Sequence, residues 1–366
     1  MANSALIPFG SVHEQQQWSD QLLHEYLNLN VFRPFMRFGM LTDNAMTGDN
    51  DPQSGVIAVV DYLGAKQGTK INIPLRRALR NAGVTDDQVL EGQEEEMVFD
   101  NESLSISLIR HATIIRNRVM SEQRAAFDIF NEARPSLQDW LEEKMRSDII
   151  TAMTDVTRGR VQARYLYGAS ESNWNATHAT ALGNVDSTND KLTVKAIKKM
   201  KDKAKAGDTA NGVGKVRPAR FEMSSGATKK QYVLFVGTRL RRHLEEDAQF
   251  QNMQFRNQTN GEAYAPRFVD TSSFVGMVDG VFVYEIEEFP VYSGVGASTI
   301  DVGHAILSGA QSVVVCYGQR PAFAQKEFDY GAQIGVAVSE LRGVSKLVYN
   351  SADYGLVNGF FAANEI

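Results

Sequence analysis

Leu137, Leu141, Met145, Ile149 and Met153 recur every four residues, and Trp140 and Val156 widen the stripe. Apolar residues at that spacing fall on one face of an α-helix. Pro135 stands just ahead, and Ser136-Leu-Gln-Asp139 resembles a capping box with Asp in the acidic place. The pattern predicts one helix over 136–157, which at ~1.5 Å per residue is ~30 Å long and can brace a whole domain. Methionines in such a stripe are packing residues, not a cofactor box. A shorter helix is expected before Pro135, opened by Ser121-Glu-Gln-Arg124 with Phe127 and Phe130 on its apolar face.

Around this helix the chain divides into extended arms and a compact section. Residues 1–66 read as an arm with short helical pieces. Leu22, Leu23, Tyr26 and Leu27 suggest a helix from Trp18 to Leu29, which Phe32-Arg-Pro-Phe-Met36 breaks, because a residue before proline disfavours the helical region. Residues 67–115 read as a long projecting hairpin. Ile71, Ile73 and Leu75 alternate, as do Leu104, Ile106 and Leu108, and Pro74 belongs at a sheet edge because it cannot donate to a ladder. The charges of this hairpin segregate: Arg76, Arg77 and Arg80 come first, then Asp86, Asp87, Glu91, Glu94, Glu95 and Glu96. Two readings stand side by side, a solvated loop or a device that docks on oppositely charged neighbouring subunits. In the second, exposed pairs of ~0–1 kcal/mol each set register more than strength.

Residues 168–190 are a Gly/Ser/Asn-rich connection. Leu192 to Ala206 forms a lysine-rich helix (Lys195, Lys198, Lys199, Lys201, Lys203, Lys205) with a solvated face. No aromatic residues interleave there for base stacking. From Gln231 onward a compact α/β pattern is expected: strands at 232–236, 281–287 and 312–317, a helix at 238–247, alternation at Ile334, Val336 and Val338, and a strand pattern over 344–349.

The chain has no recognisable catalytic centre. His13, His24, His111, His178, His243 and His304 are scattered, with no His-Glu-x-x-His or His-x-His spacing. One cysteine, Cys316, sits in an apolar run and excludes both an internal disulfide and a cysteine-cluster metal site. Gly207-Asp-Thr-Ala-Asn-Gly-Val-Gly-Lys-Val216 fails as a phosphate loop, because Thr209 replaces the first glycine and Val216 the magnesium-binding hydroxyl. Glu94, Glu95 and Glu96 are consecutive, so on a strand they alternate faces and do not converge on one metal. Catalytic, cofactor-binding and metal residues are therefore expected to be none. With 366 residues and a net charge of −6 the chain also lacks the basic balance of a general nucleic-acid binder. Neither a signal peptide nor a membrane-spanning run is evident.

Short motifs, in order, carry a family resemblance over about residues 30–168: Phe32-Arg-Pro-Phe-Met36, Ile73-Pro-Leu-Arg76, Leu90-Glu-Gly-Gln-Glu-Glu95, Arg110-His-Ala112, Gln123-Arg124, Leu137 with Asp139-Trp140, and Leu166-Tyr-Gly168. The chain resembles the major capsid proteins of the N-four-type phage capsid family, which have the Hong Kong ninety-seven capsid fold. Gln93 departs from that pattern, where asparagine is expected. The resemblance implies an α+β fold with an N-terminal arm (1–66), an extended loop (67–115), a peripheral domain (116–189 and 326–366, with the spine helix 136–157) and an axial domain (190–325). It implies an icosahedral virion shell of pentamers and hexamers enclosing the double-stranded DNA of a tailed bacteriophage, assembled in the host cytoplasm. Scaffolding, portal and cementing proteins are the implied further partners; no cofactor and no membrane are. Arg76, Arg77, Arg80, Glu91, Glu94, Glu95 and Glu96 are the expected assembly contacts. The alternatives are an encapsulin-like shell that stores cargo, and a soluble α/β enzyme. Removing residues 70–100 is expected to leave a folded subunit that cannot close shells.

Overall fold

A computed structural model of the chain describes residues 25–27, 29–38, 55–60, 70–76, 83–85, 89–96, 99–116, 123–124, 129–208, 211–222, 228–252 and 273–364. The first part of the chain forms β1 (Met36–Phe38), β2 (Ile57–Val60), β3 (Lys70–Arg76), β4 (Phe99–Ser105) and β5 (Ser107–Ile115). Then come α1 (Ile129–Thr154), β6 (Tyr165–Tyr167), α2 (His178–Gly183), α3 (Val194–Ala206), β7 (Ala219–Glu222), β8 (Thr228–Val236) and α4 (Thr238–Glu246). The last part holds β9 (Phe274–Val278), β10 (Val281–Glu285), β11 (Val291–Tyr292), β12 (Val302–Ser308), β13 (Val313–Phe328), β14 (Gln333–Lys346), β15 (Val348–Tyr349), β16 (Ala352–Asp353) and β17 (Leu356–Ala362).

The expected spine is α1. Leu137, Leu141, Met145, Ile149 and Met153 are all buried in one cluster, as their spacing requires. Its ends differ from expectation. The helix starts at Ile129 and carries Pro135 inside it, so the proline does not separate two helices. Proline there removes one intrahelical bond, and the Ser136 hydroxyl donates to the Glu132 carbonyl at 3.0 Å. The far end stops at Thr154, because the Asp155 carboxylate accepts from the Thr157 amide at 2.8 Å and turns the chain. Phe127 lies outside the described residues, as does most of the helix expected from Trp18 to Leu29.

The spine packs on a five-stranded sheet with order β1-β2-β13-β14-β5. Along β14, Ile334, Val336, Val338, Glu340 and Arg342 all point inward. Val313, Val315 and Tyr317 of β13 share that side with the spine, while Val314 and Cys316 face the opposite side. There they meet the base of a two-stranded ribbon, β3 with β4, through Ile73 and Leu104. Pro74 lies in that ribbon, where each strand is an edge.

The second sheet has order β6-β17-β12-β8-β10-β9, with β7 beside β8 and β11 beside β12. Ile197, Met200 and Ala204 of α3 and Leu240 and Leu244 of α4 cover one face. The Phe32-Arg-Pro-Phe-Met36 motif wedges into the other. The Phe35 ring meets Tyr284 and Phe235 edge-on at 4.8 and 5.2 Å, and Phe32 meets Phe235 at 5.5 Å. The arm therefore supplies core to both sheets, which accounts for the bulky apolar residues on either side of Arg33-Pro34.

Three strand assignments cut across the boundaries expected from sequence. β13 runs through the expected boundary at 325/326, because its 16 residues pair with β14 over nearly their whole length. β17 lies within the second sheet, between β12 and β6, and not with the spine. The expected loop over 67–115 also loses its last strand: β5 pairs with β14 from Ser107 to Ile115. Alternation alone cannot tell which partner a strand will take.

Candidate assembly surfaces

The β3–β4 ribbon is anchored by one buried residue from each strand. Ile73 and Leu104 are buried against Val60, Val314, Cys316 and Leu347. Removing residues 70–100 would therefore open the core, contrary to expectation. Arg158, just past the spine, donates to Glu102 on β4 at 2.8 Å and to the Ser345 hydroxyl at 2.8 Å. A cleft of about 480 Å³ lies at this root, lined by Ser105, Ser107, Lys144, Asp148, Arg342 and Lys346 among others.

The acidic segment forms an exposed turn. The Gln93 amide bonds the Leu90 carbonyl at 3.0 Å, and Gly92, with φ of 86°, takes the left-handed conformation. The Gly92 amide donates to Glu94 at 2.7 Å. Glu91, Glu94 and Glu96 are exposed and Glu95 is half-buried. Beside them Val89 and Leu90 are 71% and 57% exposed. Arg77 and Arg80 lie outside the described residues. Arg76 is described in backbone only, at the end of β3, paired with Phe99. A second exposed surface was not foreseen. β5 ends its sheet, so among the described residues its outer edge pairs with no strand. It carries exposed Leu108, Arg110, His111 and Ile114.

Two buried charge networks also escaped sequence reading. In the first, the Tyr26 hydroxyl of the arm bonds that of Tyr317 on β13 at 2.6 Å and donates to Glu340 at 3.5 Å. Glu340 pairs with Arg342 at 2.7 Å, and Arg342 with Asp148 on the spine at 2.6 Å. Burial pushes the Glu340 carboxyl up, against the pull of Arg342. Burial opposes the charge on Arg342, but Glu340, Tyr317, Tyr26 and Asp148 together outweigh it and hold the guanidinium above its ordinary value. In the second network, the Lys346 ammonium donates to the carbonyls of Asp155 and Arg158 at 2.5 and 2.6 Å and pairs with Asp353 at 2.8 Å. Asn358 donates to Asp353 at 2.9 Å and bonds His304 at 2.9 Å. Burial pushes Asp353 up to about 6. This network joins the spine's end, β14, β16, β17 and β12, and so couples the two sheets. One signal for the first network was in the sequence: Glu340 and Arg342 continue the inward register of Ile334, Val336 and Val338.

His178 and His304 are packed inside the fold. Complete burial pushes His304 down to about 3, and burial with nearby Arg160 pushes His178 down to about 4. Cys316 is buried and its thiol is pushed up to about 12 by that burial. Among the described residues no group of three or more His, Cys, Asp or Glu side chains is placed to hold a metal ion. No helix among them is long and apolar enough to cross a membrane.

Comparison with known proteins fits this geometry of anchored ribbon, seated arm and long spine. The major capsid protein of Pseudomonas phage KPP25 is 23% identical over 343 residues, covering 86% of this chain and 89% of that one. The fold is that of solved phage capsid subunits of the Hong Kong ninety-seven type. The capsid of cyanophage Pam1 superposes with a TM-score of 0.72 at 24% identity, covering 92% of each chain. The capsid of Ralstonia phage GP4 also gives 0.72, at 20% identity over 99% of each. The sequence model of the phage capsid protein family matches residues 6–360, and the chain belongs to that family.

Proposed function

We propose that this phage major capsid protein assembles as pentamers and hexamers into a closed icosahedral shell around the double-stranded DNA of a tailed phage. The observation that carries the reading is the pairing of two exposed surfaces of opposite character. The acidic turn at 89–96 presents Val89 and Leu90 beside Glu91, Glu94 and Glu96, while the free edge of β5 presents Leu108 and Ile114 beside Arg110 and His111. Within one chain Val89, Leu90, Leu108 and Ile114 stay exposed, whereas Glu94 accepts from Gly92 and His111 stacks on Trp140. Between copies, the turn of one docks on the edge of the next, a head-to-tail contact that closes into rings. Arg76, Arg77 and Arg80 are further basic residues proposed to take part in assembly.

The extended loop is the part that reaches neighbours, while Phe32 to Met36 of the arm stay seated in their own subunit. The spine with its five-stranded sheet forms the peripheral domain, and the second sheet with α3 and α4 forms the axial domain. Assembly takes place in the host cytoplasm with scaffolding, portal and cementing proteins, and the net charge of −6 limits adhesion to the packaged DNA. The family implies a structural role, not catalysis.

The test is electron microscopy of the purified chain with mass measurement in solution. Closed shells, or rings of five and six chain masses, support the reading. Shells filled with a protein cargo would instead favour a storage compartment. A small oligomer that never assembles, even with a candidate scaffold, would sink it.

A further inference from the structure

Charge is spread unevenly along the chain. Residues 191–230 hold twelve lysines and arginines and three acids, a net +9 in a chain of net −6, so the remainder carries −15. Such asymmetry within one chain points to a polyanionic partner. The fold gathers these cations on one side of the second sheet. Along α3, Val194, Ala196, Ile197, Met200 and Ala204 are buried. Lys195, Lys198 and Lys205 stand exposed on the opposite stripe, with Asp202 among them. The chain leaving α3 turns back beside it, with the Val216 amide bonded to the Ala204 carbonyl at 2.8 Å, and sets exposed Lys215 and Arg217 near the helix end. On β7 and β8, Ala219, Phe221 and Val233 pack toward the arm, while Tyr232 and Leu234 pack toward α3. Alternation therefore turns Arg220 and Lys230 to the α3 side. There they stand directly opposite each other across the ladder, both exposed.

These exposed cations lack a counter-charge. Lys191, Lys201 and Lys203 pair with Glu246, Asp279 and Glu171 at 3.8, 2.8 and 3.3 Å. Among the described residues, none of the seven exposed cations named above lies in an ion pair. Like charges directly opposite, as at Arg220 and Lys230, weaken a strand pair, a cost that a bound anion relieves. The surface suits phosphate better than protein. Lysine is depleted in protein interfaces, whereas its flexible point charge matches phosphates without reading sequence. No exposed aromatic residue interleaves with these cations for base stacking, so the duplex is the fitting form. From Lys195 to Lys205 the stripe runs ~15 Å along the helix, and a duplex presents one charge per ~1.7 Å of its axis. We propose that the outer stripe of α3, extended by Arg220 and Lys230, is a docking surface for the phosphate backbone of double-stranded DNA. The proposal rests on the reading above, in which the chain encloses such DNA, and names the surface that touches it. The −15 carried by the rest of the chain keeps the tie local and reversible by salt.

The test measures binding of a short fluorescent DNA duplex to the full chain by anisotropy, below the concentration at which it assembles, between ~50 and ~200 mM salt. The wild type is compared with a triple variant, Lys195→Gln with Lys198→Gln and Lys205→Gln, and urea unfolding checks each fold. The wild type binds, its affinity drops steeply with salt, and a duplex of another sequence binds equally. The triple variant binds at least tenfold more weakly at the lower salt, and its salt slope falls by about three. Its unfolding midpoint holds, because the three side chains are exposed. Arg220→Gln with Lys230→Gln also weakens binding, while the midpoint holds or rises as the like-charge pair disappears. A triple variant that binds as the wild type does overturns the surface. So does a wild type that binds polyglutamate but no duplex, which would mark a protein contact instead. Shell formation is read separately, by electron microscopy of the same preparations. Shells from a chain that binds no duplex overturn the surface alone, and duplex binding by a chain that never forms shells overturns the shell reading alone.

Discussion

Arg342 on β14 and Asp148 on the spine helix meet at 2.6 Å, with the Arg342 side chain wholly buried. Through this contact the charge of Glu340, also wholly buried, is balanced and tied to the helix. Arg342→Met leaves Glu340 buried without its partner and destabilises the isolated subunit by about 3–5 kcal/mol. Glu340→Leu combined with Arg342→Met recovers most of that loss, because no charge is then left uncompensated. Urea unfolding of both variants reads the difference. Equal midpoints for single and double variants would show that Glu340 is neutralised by something other than Arg342.

Glu102→Gln separates the latch of the ribbon from global stability. Arg158 is 45% exposed at its side chain, so losing the ion pair changes subunit stability by ~1 kcal/mol or less. Amide hydrogen exchange in β3 and β4 nevertheless quickens, since the pair is one of the few polar ties between ribbon and body. Unaltered exchange there would show that Ile73 and Leu104 alone hold the root.

Trp140 is partly buried and stacks on His111 of β5, with ring centroids 4.4 Å apart. Trp140→Ala therefore costs about 1–3 kcal/mol, less than the full penalty for an enclosed indole. The chemical unfolding midpoint measures it, and a loss beyond about 4 kcal/mol would mean that the ring carries more of the core than its exposure allows.

Asp353 gives a pH dependence with a definite sign. Burial raises its folded pKa to about 6, above an unfolded value of ~3.9. Its contribution to stability is fully present below pH ~4 and is lost as pH rises through about 6. Asp353→Asn, which still offers a carbonyl to Lys346, flattens the stability profile between those limits. A wild-type profile with the same slope as the variant across that window would refute the assignment.

Charge reversal of the exposed turn, Glu91→Lys with Glu94→Lys and Glu96→Lys, leaves subunit stability within ~0.5 kcal/mol. It slows or abolishes assembly, and added salt narrows the gap from the wild type. Assembly that ignores the reversal would detach these glutamates from the interface.

Local periodicity made much of this fold readable. The four-residue spacing of Leu137 to Met153 placed the spine, and the alternation from Ile334 placed β14, because helix and strand each impose their period on neighbouring residues. Partner choice did not read out. β5 alternates as β4 does, so only long-range pairing with β14 reveals that it leaves the ribbon. Pro135 was expected to break the helix, yet the helix runs through it at the loss of one backbone bond. Of the expected contact residues, the glutamates of the turn stand in view. Arg77 and Arg80 lie outside the described residues. Glu340 and Arg342 continue the inward register of β14, but Tyr26 and Asp148, which they meet, come from distant elements, as does Asp353 beside Lys346, beyond the reach of spacing arguments.

The place of β17 has a consequence for synthesis. Residues 356–362 supply the strand between β12 and β6, and Asn358 among them completes the bonding of Asp353. Until those residues leave the ribosome, β6 has no partner, one edge of β12 is bare, and the joint between the two sheets is incomplete. Translation order thus becomes a quality check: a chain stopped before Leu356 carries the arm, the ribbon and the spine, yet its second sheet stays open and it is poorly fitted to occupy a place in the lattice.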